Sequence, residues 1–173
     1  MSGAVSDEQH PPVVFVGPMA AGKTKIGKRV ARLLGTGFTD TDKVIVREHG
    51  PIADLFATHG EPHFRALERE AVAAALRTDH VVSLGGGAVL DPGTRADLAP
   101  LRVILLTVTP EVVAGRLAAQ AGKRPLVAGG VEDWVRILEA RRPLYEGVAT
   151  RTVDTSSGDF DDIAQEVAAW LTT

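Results

Sequence analysis

The sequence contains no cysteine among its 173 residues. This absence excludes disulfide bonds, thiolate nucleophiles, and zinc or iron–sulfur centres with cysteine ligands. Asparagine is absent as well, and no D-x-x-G segment occurs. Because a GTPase is expected to carry an N-K-x-D element and a D-x-x-G switch, we exclude that class. A G-x-S-x-G segment is also missing, which argues against an α/β-hydrolase.

Long apolar runs and an excess of basic charge are missing too. The longest unbroken apolar run has six residues, 71–76, whereas a transmembrane helix needs about twenty. Lys plus Arg number 19 and Asp plus Glu 22, a formal net charge of −3 that argues against a broad nucleic-acid-binding face. The first twelve residues have no Lys or Arg and no apolar core, unlike a signal peptide. We therefore expect a cytoplasmic protein with a disordered tail at 1–11 and no membrane or nucleic-acid partner.

The composition that remains is ordinary for a globular domain, with 45% hydrophobic and 24% charged residues. Apolar runs typical of buried strands alternate with amphipathic segments typical of helices. We predict strands at 13–16, 38–40, 80–84 and 102–108, and helices at 23–34, 131–145 and 160–171. This alternation indicates an α/β fold, with a parallel sheet between helices, in one domain over residues 1–173.

Several residues predict local boundaries. Asp91 and Thr109 each precede a proline, which predicts two helices that begin with a capping side chain. Pro143 predicts that the helix around it ends or kinks at that point. His59 and His63 have the spacing of metal ligands on a helix, but a glycine and a proline stand between them, so we interpret both as loop residues.

The strongest motif follows the first predicted strand. Its sequence, GPMAAGKT, is a full G-x-x-x-x-G-K-[ST], and an amphipathic helix follows it. In such a loop, backbone N–H groups bind phosphate oxygens, Lys23 reaches the outer phosphates and the Thr24 hydroxyl ligates Mg²⁺. The predicted phosphate-binding residues are Gly17, Pro18, Met19, Ala20, Ala21, Gly22, Lys23 and Thr24.

A second candidate segment, Asp40-Thr41-Asp42, ends the second predicted strand. Carboxyl ends of strands in open α/β sheets face the ligand crevice, and alternation along a strand would place Asp40 and Asp42 on one side with Thr41 opposite. One carboxylate could then support Mg²⁺ while the other orients or deprotonates a substrate hydroxyl. The alternative is that Asp42 only caps the next helix.

Four more segments permit a structural or a functional interpretation. Arg65 and Glu68, three residues apart, form either a surface ion pair or part of a site. Gly85–Gly87 either admit a ligand to bare backbone or form a tight turn. Arg141 either faces a cleft or lies at a solvated helix end. Residues 118–130, rich in small residues with two basic side chains, form either a mobile lid or an ordinary surface loop.

In this order the segments resemble the shikimate kinase family from Val13 onward. The resemblance rests on GPMAAGKT, the D-T-D segment, GEPHFRALE at 60–68, G-G-G, R-P-L at 124–126 and RRPLY at 141–145. It implies transfer of the γ-phosphoryl group of ATP to the 3-hydroxyl of shikimate, on the pathway to aromatic amino acids. It also implies a P-loop kinase fold, with a five-stranded parallel sheet in the order 2-3-1-4-5, a short lid and a monomer.

The resemblance also implies a role for each matching residue. Asp42 would be the base, assisted by Lys23 and by Arg124, which would close over the transferring group and the ATP. Arg116 would contact adenine, while Thr24 and Asp40 would hold Mg²⁺. The residues implied to bind shikimate are Asp42, Arg65, Glu68, Gly86, Gly87 and Arg141, with Phe56 and Phe64 as walls for its ring.

Four departures from the family pattern stand out. Ala20 replaces a usual glycine, so we expect its backbone to avoid the left-handed region. Lys25 follows Thr24 where a threonine is common, Val46 replaces a usual glutamate, and one residue is missing before Ile52. Two alternatives stay open: another small-molecule P-loop kinase, such as a gluconate kinase, or a non-catalytic ATP-binding regulator.

Overall fold

The computed structural model describes residues 10–119 and 129–173. The strands of these residues are β1 (Val13–Val16), β2 (Phe38–Asp40), β3 (Val81–Ser83), β4 (Arg102–Thr107) and β5 (Arg151–Asp154). The α-helices are α1 (Lys23–Leu34), α2 (Thr41–His49), α3 (Ile52–His59), α4 (Glu61–Ala75), α5 (Pro92–Leu98), α6 (Pro110–Ala118), α7 (Val131–Val148) and α8 (Phe160–Leu171).

The strands form one parallel sheet in the order β2-β3-β1-β4-β5. This order confirms the predicted fold class. β1 lies in the middle, where Val14 is opposite Val82 of β3 and Val103 of β4. A run of β-branched and aromatic residues favours this position, because a central parallel strand is covered on both faces.

The alternation of side chains along β1 divides the core into two layers. Phe15 packs in the layer that α1 and α8 cover, together with Ile104 of β4. Val14 and Val16 point to the opposite face, where α4 and α5 cover the sheet. α7 contributes to both layers, with Trp134 in the first and Tyr145 in the second.

Helix and strand bounds agree best where the hydrophobic pattern is strong. The predicted bounds of α1 and α8 match the observed helices, and Asp91 caps α5 by accepting a hydrogen bond from the Thr94 N–H. β5, α2 and α3 were not individually predicted. β5 lies at the edge of the sheet and buries only Val153, so its sequence lacks an apolar run.

Three local predictions need correction. The helix does not end at Pro143, because α7 continues to Val148, and the buried Trp134 and Tyr145 on either side of the proline anchor it in the core. The alternative, a kink at Pro143, stays a prediction. His59 and His63 are helical, at the end of α3 and in the first turn of α4, where proline is tolerated.

The third concerns α6. It begins at Pro110 as predicted, but the Thr109 side chain makes no capping hydrogen bond, and the Thr109 N–H is instead bonded to Ser156 Oγ at 2.8 Å.

Within residues 10–119 and 129–173, no helix combines the length and apolar content needed to cross a membrane.

Candidate active site

The loop between β1 and α1 needs glycine at both of its ends. Gly17 has φ 142° and Gly22 has φ 96°, values that other residues rarely adopt. A Cβ atom on Gly17 would also clash with the carbonyl oxygen of Leu106 on β4. α1 begins immediately after Gly22, and the first N–H groups of a helix lack intrahelical partners and favour anions.

Lys23 is the first residue of α1, and its side chain folds back over the loop. Its Nζ donates hydrogen bonds to the carbonyl oxygens of Gly17, at 2.7 Å, and Pro18, at 3.0 Å. These contacts place a cationic group at the mouth of the loop. This position of Nζ is compatible with the prediction that Lys23 lies beside bound phosphates.

The prediction for Ala20 is wrong, because its φ is 68°, in the left-handed region. An alanine in this conformation costs roughly 1–2 kcal/mol relative to a right-handed one. The surrounding contacts offset that cost: the Ala20 carbonyl accepts a 2.7 Å hydrogen bond from the Arg116 guanidinium. Tertiary contacts that no local pattern reveals therefore decide the backbone conformation here.

Arg116 lies on the last turn of α6, and it contacts the segment that follows β5 as well as the loop. Its guanidinium donates to the Thr155 carbonyl at 2.8 Å and lies 5.3 Å from the centre of the Phe160 ring. Burial lowers the pKa of Arg116, while the charge of Asp154 opposes that shift. The predicted nucleotide-contacting arginine thus lies directly against the phosphate loop.

The side chain of Thr24, on α1, contacts the side chain of Asp40, at the end of β2. The Thr24 hydroxyl donates a 2.7 Å hydrogen bond to Asp40 Oδ2. The other carboxylate oxygen, Asp40 Oδ1, accepts from the N–H groups of Asp42 and Lys43 at 3.0 and 3.2 Å. Two hard oxygen ligands, the kind that Mg²⁺ prefers, therefore adjoin the phosphate loop.

The prediction that Asp40 and Asp42 share one side of a strand is wrong. The strand ends at Asp40, which caps α2, and Thr41 is the first residue of that helix. Thr41 is buried, and its hydroxyl accepts a hydrogen bond from the Gly85 N–H at 3.3 Å. Asp42 is therefore a first-turn residue of α2 and not its cap, yet both carboxylates line the same cavity.

Arg65 and Glu68 form a partly buried ion pair on α4, so the surface interpretation is wrong. Arg65 Nη1 lies 2.7 Å from Glu68 Oε1, and the Glu68 side chain is only 4% exposed. Glu61, one turn earlier, lies 3.3 Å from Arg65 Nη2. These carboxylates hold the guanidinium plane in a fixed position at the cavity wall.

Glu68 is an unusually buried acid. Burial raises its pKa above the ordinary value, and the neighbouring Asp42 carboxylate adds to the increase, while Arg65 and Arg141 oppose it. Its Oε2 atom is buried and has no hydrogen-bond partner among the described residues. Such a group costs free energy unless a ligand or water satisfies it.

Gly85–Gly87 follow β3 and pack against charged side chains, so a mere tight turn does not explain them. A Cβ on Gly85 would lie 2.5 Å from Asp42 Oδ1 and 2.9 Å from Glu68 Oε2. A Cβ on Gly87 would clash with the Arg65 guanidinium. Gly85 was not among the predicted site residues; its signal was its place in the G-G-G run.

α7 supplies the remaining groups of this wall. Arg141 Nη1 lies 3.5 Å from the position that a Cβ on Gly86 would take, and the Tyr145 hydroxyl donates a 2.5 Å hydrogen bond to the Gly86 carbonyl. Burial raises the pKa of Tyr145, which Arg141 opposes. Tyr145 belonged to a recognised motif but was not predicted as a site residue.

One cavity of about 1020 Å³ joins the phosphate loop to the α4 and α7 wall. This volume lies at the upper end of the range of about 300–1,000 Å³ that is common for small-molecule pockets. Phe56 and Phe64 lie together on its wall, with ring centres 4.9 Å apart. The predicted site residues that line it are Pro18, Met19, Ala20, Gly22, Lys23, Thr24, Asp40, Asp42, Arg65, Glu68, Gly86, Gly87, Arg116 and Arg141.

Two predicted residues of the described part of the chain do not line this cavity. Gly17 and Ala21 belong to the loop backbone behind it, and Ala21 is fully buried. Arg124 lies outside the described residues, as does most of the predicted lid segment 118–130. Trp134 also lines the cavity. It was not predicted as a site residue, because a lone tryptophan in a helix is ordinarily a core residue.

A model of the shikimate kinase family matches residues 19–172. The chain belongs to the shikimate kinase family. It is 43% identical to shikimate kinase from Streptomyces coelicolor over 157 residues, which cover 90% of this chain and 92% of the relative. It is 46% identical to shikimate kinase from Salinispora arenicola over 164 residues, 93% of this chain and 98% of the relative.

Solved structures agree with this family. The structure of shikimate kinase from Acinetobacter baumannii in complex with shikimate matches with a TM-score of 0.88 and 33% identity, over 94% of this chain and 93% of that one. A gluconokinase from Sinorhizobium meliloti matches with a TM-score of 0.61 over 94% and 91% of the two chains. At 21% identity, that likeness shows a shared fold alone.

The departures from the shikimate kinase pattern lie around the same cavity. Lys25 lines it on the loop side, and Val46 lines it from α2 with 44% of its surface exposed. Ile52, before which one residue is missing, lines it as well and begins α3. Ala20, the fourth departure, lines the cavity in the phosphate loop, so all four departures fall at residues of the cavity wall.

Proposed function

We propose that this protein transfers the γ-phosphoryl group of ATP to the 3-hydroxyl of shikimate, giving shikimate 3-phosphate and ADP, on the pathway to aromatic amino acids. The observation that carries this proposal is the single cavity shared by the phosphate loop and the α4 and α7 wall. Phosphoryl transfer needs both substrates in line and close together. Membership of the shikimate kinase family supports the choice of acceptor.

The acceptor is a small carboxylate with several hydroxyl groups, and the wall residues suit those groups. Arg65 and Arg141 would bind its carboxylate through paired N–H donors. Glu68 would hold Arg65 in place through the 2.7 Å ion pair. The backbone of Gly86 and Gly87 would allow a close approach, and the paired phenylalanine rings would cover the apolar side of the acceptor ring.

Asp42 would accept the proton of the attacking hydroxyl. The hydroxyl oxygen forms a bond to the γ-phosphorus, the bond from that phosphorus to the bridging oxygen breaks, and ADP leaves with the electron pair. Lys23 would neutralise the negative charge on the transferring group. Arg124 would close over that group from the lid at 118–130, a role that rests on the family resemblance.

On the nucleotide side, the loop from Gly17 to Thr24 would bind the phosphates and Arg116 would contact the adenine. Thr24 and Asp40 fit a magnesium ion, because their oxygen atoms are adjacent at the loop. Among the described residues, no group of three or more His, Asp or Glu side chains is arranged to hold a metal. A Mg²⁺ ion typically keeps waters and phosphate oxygens in addition to one or two protein ligands, and when bound it screens the phosphate charges.

We also propose a single kinase domain over residues 1–173, with a disordered tail at 1–11, that acts as a cytoplasmic monomer. The absence of cysteine is compatible with a reducing compartment. A short lid and a monomeric state follow the family resemblance. Sedimentation at several protein concentrations would test the monomer, because self-association would raise the apparent mass with concentration.

The proposal is tested by ADP release from ATP and Mg²⁺ with a panel of acceptors: shikimate, gluconate, nucleoside monophosphates and none. We expect turnover with shikimate alone. Turnover with gluconate or a nucleotide would show that the departures at Val46 and before Ile52 have changed the acceptor. ATP binding without turnover on any acceptor would support a regulatory ATP-binding protein.

A further inference from the structure

Three consecutive carbonyl groups of the phosphate loop are held by side chains that are distant in sequence. The Trp134 indole Nε1 donates to Met19, an Arg116 guanidinium nitrogen to Ala20, and the Thr155 hydroxyl to Ala21, each at 2.7 Å. The donors come from α7, from α6 and from the segment after β5. We propose that Trp134 and Thr155 are positioning residues, which set the loop backbone for phosphate binding; this rests on the proposed nucleotide site.

The reason lies in the geometry of the peptide unit. In a trans peptide the carbonyl and the following N–H point in opposite directions, and the described residues contain no cis peptide bond. Holding the Met19 and Ala21 carbonyls therefore directs the N–H groups of Ala20 and Gly22 away from the two donors. Both of these residues line the cavity, whereas Ala21 is fully buried.

The two donors are themselves held firmly. Trp134 is 2% exposed and Thr155 is 1% exposed, and Trp134 packs in the core layer that α1 and α8 cover. A hydrogen bond in such surroundings is stronger than one in water, and its loss leaves the carbonyl unsatisfied. Neither side chain can move without disturbing the core, so the loop carbonyls have fixed partners.

The loop needs such support because of Ala20. This residue keeps a φ of 68°, although alanine disfavours the left-handed region. The Trp134 bond to Met19 holds the peptide unit before it, the Arg116 bond to the Ala20 carbonyl holds the unit after it, and the Thr155 bond to Ala21 holds the next unit along the loop. Without them the loop could relax toward a right-handed conformation at Ala20, which would rotate the neighbouring N–H groups away from bound phosphates.

The first test replaces Trp134 with phenylalanine, which keeps an aromatic ring and removes the N–H donor. We expect Trp134→Phe to weaken ADP binding, measured by calorimetry, by about three- to tenfold, as the loss of one buried hydrogen bond implies. The matched control is Trp170→Phe, since Trp170 lies on α8 and its ring contacts the guanidinium groups of Arg102 and Arg151. This control should bind ADP as the unchanged protein does.

Steady-state kinetics separate positioning from a general loss of structure. In Trp134→Phe the KM for ATP should rise, while the KM for the acceptor and kcat stay within about twofold. Equal ADP affinity in Trp134→Phe and Trp170→Phe would overturn the proposal. Because ADP binding requires no acceptor, failure of shikimate as the substrate would leave this result unaffected.

A second variant covers the case in which Trp134→Phe does not fold. Thr155→Val keeps the shape of the side chain and removes the hydroxyl that bonds Ala21, and it should also weaken ADP binding by about three- to tenfold. In Trp170→Phe, Trp134 is the remaining tryptophan of the two in the chain. The Trp134 fluorescence of Trp170→Phe should change when ADP binds. The proposal would be contradicted if Thr155→Val bound ADP with unchanged affinity and the fluorescence of Trp170→Phe did not change.

Discussion

The phosphate side of the cavity is one run of consecutive residues, whereas the acceptor side draws its groups from four separate parts of the fold. The loop from Gly17 to Thr24 offers mainly backbone N–H groups and the Lys23 ammonium. The acceptor side combines Asp42 of α2, Arg65 of α4, Gly86 and Gly87 after β3 and Arg141 of α7. One side is local in sequence and the other is made by tertiary structure.

This difference separates two ways of building specificity. Every nucleotide carries the same phosphates, so a backbone loop with one cation serves many enzymes. An acceptor with a carboxylate and hydroxyl groups needs side chains of particular chemistry in a particular relative position. Changes on the acceptor side should therefore leave nucleotide affinity unchanged, and changes in the loop should leave acceptor affinity unchanged.

The largest expected effect is on Asp42. If Asp42 accepts the hydroxyl proton, Asp42→Asn should lower kcat by about 10²–10⁴-fold, with ADP affinity unchanged by calorimetry. Asp54→Asn is the matched control, because Asp54 also lies in the first turn of a helix but is exposed outside the cavity. An unchanged kcat in Asp42→Asn would leave that residue only a positioning role.

The next effect concerns the Arg65 guanidinium. Arg65→Lys keeps a positive charge beside Glu68 and removes the paired N–H donors, so the KM for shikimate should rise by about 10- to 100-fold. The KM for ATP should not change. Arg69→Lys is the control, since Arg69 lies one turn away on α4 and pairs with Asp97 at 2.7 Å. An equal change in the KM for shikimate in Arg65→Lys and Arg69→Lys would mean that Arg65 has only a structural role.

A smaller effect concerns the pH dependence of stability. Burial raises the Glu68 pKa in the folded state, so the folded protein binds more protons than the unfolded chain above the ordinary glutamate pKa of about 4.3. The stability of the unchanged protein relative to Glu68→Gln should therefore fall as pH rises from that value through the raised pKa. Urea unfolding of both proteins across this range measures it; a constant difference would contradict the expectation.

The smallest effect concerns Ala20. Ala20→Gly removes the left-handed penalty and should raise the free energy of unfolding by about 0.5–1 kcal/mol, after the greater flexibility of glycine is counted. The same change at the exposed helical residue Ala74 should lower it by about 1 kcal/mol. Denaturant unfolding compares them. A loss of stability in both variants would mean that the left-handed conformation carries no cost.

Features that depend on local sequence could be predicted, whereas features that depend on tertiary contacts could not. The sheet order came with the family resemblance, while strong periodicity predicted α1 and α8, and the loop motif predicted the position of Lys23. The helical place of Asp42 and the left-handed Ala20 could not be predicted, because partners far along the chain determine both: Thr41 bonds Gly85, and Arg116 bonds Ala20.

The burial of Glu68 could not be predicted from the sequence either. Its spacing from Arg65 is that of any exposed helical ion pair, and only the packing of α4 against the G-G-G segment removes it from solvent. Tyr145 stands in a recognised motif, but its bond to Gly86 depends on how α7 packs against the segment that follows β3. Residue type and order were visible in the sequence, whereas burial and partners required the fold.

Simultaneous occupancy of the two sides is the most direct test of one cavity that joins nucleotide to acceptor. The measurement is calorimetric titration of shikimate into protein saturated with ADP and Mg²⁺. We expect saturable binding at one shikimate per chain, with ADP retained and with shikimate affinity about 10- to 100-fold lower in Arg65→Lys. Displacement of ADP by shikimate, or no shikimate binding to the ADP-saturated protein, would contradict a shared cavity in which the two substrates lie side by side.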